Sequence, residues 1–93
     1  MENYNLELAH KSCAHNRSLL ENDKKCGCFY CLRVFSPSEI KEWCDEAENG
    51  EEVTAICPYC DVDAILSESS GYPLTKDFLS KMRKRWFGYI YAN

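Results

Sequence analysis

The chain has 93 residues, 45% of them hydrophobic and 28% charged, with a formal net charge of −4 and seven cysteines. That length suits one domain, since a single core usually spans roughly 50 to 200 residues, and the apolar content excludes a chain disordered throughout. A general nucleic-acid binder would be basic, and nowhere do about 18 apolar residues run together as a membrane span requires.

The opening MENYNLELAH lacks the basic and apolar regions of an export signal, so the expectation is a soluble cytoplasmic protein with one domain over 1–93 and no membrane partner. An odd cysteine count leaves at least one thiol unpaired. A chain that is not exported meets a reducing compartment where structural disulfides are rare, and metal binding becomes the leading use of paired cysteines.

The first twenty-five residues carry a brief alternation of Tyr4, Leu6 and Leu8 and a predicted helix from about Ser12 to Glu21. After the first cysteine cluster, LRVF at 32–35 has the branched and aromatic residues of a short strand. SPSE at 36–39 then predicts a helix: Ser36 can cap it, Pro37 suits the first helical position, and Glu39 can complete a capping box. Asn49 and Gly50 supply its stop. On that helix Ile40, Trp43, Cys44 and Ala47 share one apolar arc, with Cys44 read as a core thiol at its edge.

EVTAIC, residues 52–57, alternates as a half-buried strand does, and VDAIL after the second cysteine pair is expected to return beside it, antiparallel around CPYCD. SESSGYP breaks the pattern. Thr75 then caps a C-terminal helix over about 75–87, with Leu74 and Leu79 as a hydrophobic staple and Phe78, Leu79, Met82 and Trp86 as its buried stripe.

CGCFYC at 26–31 and CPYC at 57–60 each contain a CxxC, Cys28 with Cys31 and Cys57 with Cys60, separated by 25 residues. A CxxC in a tight turn can aim both sulfurs at one ion about 2.3 Å away, and two such knuckles complete a tetrahedron. The separation exceeds the about 15 to 20 residues of the commonest double-CxxC signature, and the predicted inserted helix accounts for the excess. Soft thiolates favour zinc or iron over magnesium or calcium. Four thiolates leave no position for an activated water, so the expected Zn2+ is structural.

Cys26 offers only a looser CxxxxC turn with Cys31, and His10, Cys13 and His15 form a weaker second cluster for which capping or surface roles are the commoner use. CPYC is also the active-site tetrapeptide of glutaredoxins, in which a thiolate at a helix N-terminus attacks a disulfide. Here a strand-like segment follows it, and only 33 residues remain.

CGCFYC, FSPSEIKEW, TAICPYC and GYPLTKDFLSKM followed by WF resemble, over roughly residues 12–87, a small family of uncharacterised bacterial proteins described only as cytoplasmic. The resemblance implies an intracellular bacterial protein with a cysteine-rich, zinc-ribbon-like centre and implies no reaction. Its pattern has glycine after CPYC, where this chain has Asp61. Glycine adopts positive φ freely, and aspartate does so at some cost.

The expected fold is therefore a small α+β domain with a zinc-ribbon or rubredoxin-like centre: two knuckles and a short antiparallel sheet in a module at about 26–67, a helix inserted between the knuckles, and the C-terminal helix. The expected function is a zinc-stabilised structural or protein-interaction module, not an enzyme, since no phosphate loop or nucleophile and base constellation is present. The alternative is nucleic-acid binding through Lys76, Lys81, Arg83, Lys84 and Arg85 on the last helix, with Tyr89 and Tyr91 as stacking surfaces. An acidic run over 39–52, with Glu39, Glu42, Asp45, Glu46, Glu48, Glu51 and Glu52 against Lys41, opposes it. Thiol–disulfide exchange through CPYC ranks last.

Overall fold

The computed structural model describes residues 4–88. Two short helices, α1 (Leu6–Lys11) and α2 (Arg17–Leu20), lead into strand β1 (Cys26–Cys28). There follow β2 (Val34–Phe35), a 3-10 turn at Pro37–Glu39, the strands β3 (Glu42–Glu46) and β4 (Glu52–Ile56), β5 (Ile65–Ser67), a second 3-10 turn at Glu68–Ser70, and α3 (Lys76–Phe87). The segment 26–67 runs from the start of β1 to the end of β5. The expected small α+β architecture with short antiparallel sheets and a C-terminal helix is present, and the helix between the knuckles is not.

The strands form two sheets. β1 lies between β2 and β5 in one, and β3 pairs with β4 in the other. All pairings are antiparallel: Cys26 faces Phe35 on one side and Ser67 on the other, while Trp43 faces Ala55 and Cys44 faces Thr54. VDAIL thus returns beside CGC rather than beside EVTAIC. The second cysteine turn carries the chain away from the hairpin and onto β1, and β4 finds its partner on the other side, in β3.

The expected helix over 36–50 stops after one turn. Its start is as read: the Ser36 N–H donates to the Glu39 carboxylate at 3.3 Å and the Ser36 hydroxyl accepts from the Ser38 N–H. Beyond Ile40 the helical alternative would stack like charges, with Glu42 under Glu46 at i, i+4 and Asp45 under Glu48 at i, i+3, an arrangement that destabilises a helix already marginal at this length. As a strand, the same residues supply the backbone partners β4 requires. Asn49–Gly50, read as a helix stop, makes the hairpin turn for which that dipeptide is also the strongest short signal. Gly50 has φ +85°, its N–H donates to the Ala47 carbonyl, and the Glu51 N–H donates to Asn49 Oδ1. The acidic run therefore coats a hairpin, with Glu42, Asp45, Glu46, Glu48, Glu51 and Glu52 all exposed.

Of the predicted helix over Ser12–Glu21 only Arg17–Leu20 is helical. The chain breaks at His15, whose φ is +52°, so that Asn16 can leave its helix-capping role and reach across the core. Its Nδ2 donates to the Ile65 carbonyl at 2.8 Å and more weakly to that of Ser12, and its Oδ1 accepts from the Ala55 N–H at 3.1 Å. Asn16 is 1% exposed and joins β4 to β5, that is, one sheet to the other. His15 N–H to Thr54 Oγ1, and Arg17 to the Glu52 carbonyl, extend the seam.

α3 is as read. Thr75 Oγ1 accepts from the Phe78 N–H, Phe78, Leu79 and Met82 are buried, and Trp86 is half-buried. The helix packs over β1 at Gly27, where a Cβ would stand 3.2 Å from Leu79 Cδ1 and 3.3 Å from Leu74 Cδ2. Glycine lets Leu74, just before α3, and Leu79 within it lie directly on the central strand. Gly27→Ala is expected to lower stability by about 1–3 kcal/mol, the usual cost of overpacking a filled core, and a shift of the urea midpoint with unchanged slope would register it.

Candidate metal centre

The four cysteines of the two CxxC pairs converge. The Sγ atoms of Cys28, Cys31, Cys57 and Cys60 all lie within 4.8 Å of one another, the one such cluster of three or more candidate ligands among the described residues. The gaps across the knuckles are 3.6 Å for Cys28 to Cys60 and 3.8 Å for Cys31 to Cys57. A tetrahedron with metal–sulfur bonds of about 2.3 Å has sulfur–sulfur edges of about 3.8 Å. These four cysteines can hold a metal ion.

Both turns are built by the same bonds, which is why the sulfurs meet symmetrically. In the first, the Tyr30 N–H donates to Cys28 Sγ at 3.3 Å, the Leu32 N–H to the Cys28 carbonyl at 2.8 Å, and the Cys28 N–H to the Arg33 carbonyl at 2.9 Å. In the second, the Tyr59 N–H donates to Cys57 Sγ at 3.4 Å, the Asp61 N–H to the Cys57 carbonyl at 2.9 Å, and the Cys57 N–H to the Val62 carbonyl at 3.0 Å. The backbone donors of Tyr30 and Tyr59 belong to the centre and were not read from the sequence. Spacing names the side chains that point at an ion but not the amides that solvate the sulfurs behind them.

Each turn closes on a residue in the left-handed region, Leu32 at φ +67° and Asp61 at φ +64°. The reading of position 61 as one that glycine would fill more easily is borne out by this angle. Asp61 is exposed, so Asp61→Gly removes left-handed strain without removing packing. Part of the gain is offset by the looser unfolded chain, and the net expectation is a stabilisation of about 0.5–1 kcal/mol, readable as a rise in thermal midpoint.

The electrostatics follow from burial. Cys28 and Cys57 are buried, whereas Cys31 and Cys60 are half-buried and mark the open side of the cluster. Burial, opposed by the backbone donors, drives the Cys28 thiol far above its ordinary range and Cys60 up to about 12. Cys31 moves the other way: burial raises it, but donors from the Arg33 backbone and the neighbouring cysteines outweigh burial and hold it below the usual thiol value. A cluster of this kind resists accumulating negative charge unless a cation shares it.

The remaining thiols are not members of this cluster, although Cys57 is near enough to Cys26 to raise it further. Cys26 is fully buried on β1, its Sγ donates to the Phe35 carbonyl at 3.6 Å, and burial pushes it up to about 12. Cys13 is buried, and burial together with Asp63 pushes it up to about 11. Cys44 sits half-buried on β3 rather than on a helix face. His10 packs its ring on Trp86 at 3.9 Å, and His15 is exposed, so neither joins Cys13 in a ligand cluster. CPYC lies in the turn between β4 and β5 and opens no helix.

The basic residues of α3 are in part already engaged. Arg85 pairs with Glu7 on α1, Lys81 with Asp77 at 3.5 Å, and Arg83 donates to the Tyr30 carbonyl at 3.4 Å. Lys76 and Lys84 are exposed. Tyr89 and Tyr91 lie outside the described residues. No described helix is long and apolar enough to cross a membrane. Comparison of the chain with family models, curated proteins and solved structures finds no match.

Proposed function

We propose that Cys28, Cys31, Cys57 and Cys60 bind one structural Zn2+ and that the chain is a zinc-stabilised protein-interaction module of the zinc-ribbon or rubredoxin-like kind, working in the cytoplasm of a bacterium. The observation that carries this reading is the pair of cross-knuckle sulfur distances, 3.6 and 3.8 Å, against the about 3.8 Å edge of a zinc tetrathiolate. Four thiolates close the coordination sphere, leaving the ion an architectural role. The resemblance in CGCFYC and TAICPYC and the seven free thiols, suited to a reducing compartment, support the cellular setting.

Nucleic-acid binding through α3 is the weaker reading, because two of its five cations pair with carboxylates of the same chain and the hairpin presents an acidic surface. The test is metal analysis of protein purified under reducing conditions, wild type and with single Cys→Ser replacements. One zinc per chain is expected, lost on replacing Cys28, Cys31, Cys57 or Cys60 and retained on replacing Cys13, Cys26 or Cys44. Iron in the same stoichiometry would replace zinc in this reading, and a metal-free folded protein would end it.

A further inference from the structure

Resting on that zinc reading, we infer that the cluster is also a site of oxidative modification by hydroperoxides, in which the metal crosslink is exchanged for two disulfides, Cys31–Cys57 and Cys28–Cys60. The sulfurs are not equivalent. Cys31 and Cys60 face the open side, whereas Cys28 and Cys57 are sealed in the core at 0% exposure. Each half-buried cysteine has a sealed sulfur of the other knuckle within hydrogen-bonding distance: Cys57 at 3.8 Å from Cys31, and Cys28 at 3.6 Å from Cys60. Attack from solvent therefore falls on one member of each pair, and the resolving thiol stands next to it on the opposite turn.

The chemistry balances with peroxide as the named oxidant. The Cys31 thiolate displaces water from hydrogen peroxide, taking one oxygen and becoming a sulfenic acid. Cys57 attacks that sulfur, the S–S bond forms, and the hydroxyl leaves as a second water after protonation. Repetition at Cys60 and Cys28 consumes a second peroxide. Per site, a zinc tetrathiolate, two hydrogen peroxide molecules and four protons become Zn2+, two disulfides and four waters. A disulfide is neutral and a poor ligand, so the ion leaves.

Both disulfides cross from one knuckle to the other, which distinguishes this outcome from pairing within Cys28–Cys31 and Cys57–Cys60. Crossed bonds keep the first turn tied to the second after the ion has gone. The oxidised, metal-free chain therefore keeps its fold, whereas the reduced, metal-free chain loses it.

The experiment treats the purified full chain with hydrogen peroxide. Zinc content is measured before and after, released ion is followed with a chromogenic chelator, peptides are mapped without reduction, and far- and near-ultraviolet circular dichroism reports the fold. The expected result is loss of the one zinc per chain, recovery of crosslinked Cys31–Cys57 and Cys28–Cys60 peptides, and a retained folded signal. Cys44→Ser, outside the four-sulfur cluster, should leave release unchanged.

Pairing within each CxxC, release that depends on Cys44, or retention of zinc while other thiols oxidise would each overturn the inference. Absence of zinc before peroxide is added would sink the metal assignment instead. In that case the peptide map still decides whether the crossed pairs form.

Discussion

Exhaustive chelation under reducing conditions should unfold the protein. Apparent zinc binding in small modules is worth about 10–16 kcal/mol, as much as or more than the about 5–15 kcal/mol by which domains are stable, so little folded population should survive loss of the ion. The structure places the cost. Cys28 ends β1 and Cys57 follows β4, so the cluster ties the three-stranded sheet to the β3–β4 hairpin, and without a cation its buried sulfurs face one another with nothing to balance deprotonation. The near-ultraviolet signal of Trp43 and Trp86 and the dispersion of amide resonances should collapse on chelation and return when zinc is added. Persistence of both in metal-free reduced material would mean that apolar packing alone holds the two sheets together.

Asn16→Ala should be among the most damaging single replacements outside the cluster. The side chain is 1% exposed and satisfies the Ile65 carbonyl and the Ala55 N–H on two different sheets. Truncation strands both groups in the core at about 1–3 kcal/mol each, or roughly 2–6 kcal/mol together, and adds a small void. Asn22→Ala is the control. The Asn22 Nδ2 donates to the Ser18 carbonyl at an exposed position, where water can take its place. Chemical denaturation of the two variants should separate them by most of that range, and equal midpoints would show that the seam at Asn16 is held by other contacts.

The sequence was most legible where one residue type has one geometric use. Two CxxC pairs converge as their spacing requires, and Thr75, Phe78, Leu79 and Met82 take the places that helix capping and periodicity assign them. It was least legible where one signal serves two structures. Ser36–Glu39 starts a helix equally well when that helix lasts one turn, and Asn49–Gly50 ends a helix or turns a hairpin. The decision between them is tertiary: β4 needs a neighbour, and only the segment before Asn49 lies in position to be one.

The pairing of VDAIL with β1 was out of reach for a related reason, because it depends on the first knuckle docking against the second. Asn16 was missed because its two stronger bonds are to partners 39 and 49 residues away.

The likeness of the two cysteine turns ends at their second residue. Phe29 is 1% exposed and its N–H donates to the Ala64 carbonyl at 3.0 Å, whereas Pro58 is exposed and has no N–H to give. The tetrapeptides are therefore interchangeable in one direction only. CFYC can stand at 57–60, where the extra amide would meet water, but CPYC at 28–31 would leave the Ala64 oxygen without its donor and the core without an aromatic ring. A proline in one loop and a phenylalanine in the other thus give a nearly twofold centre an inside and an outside.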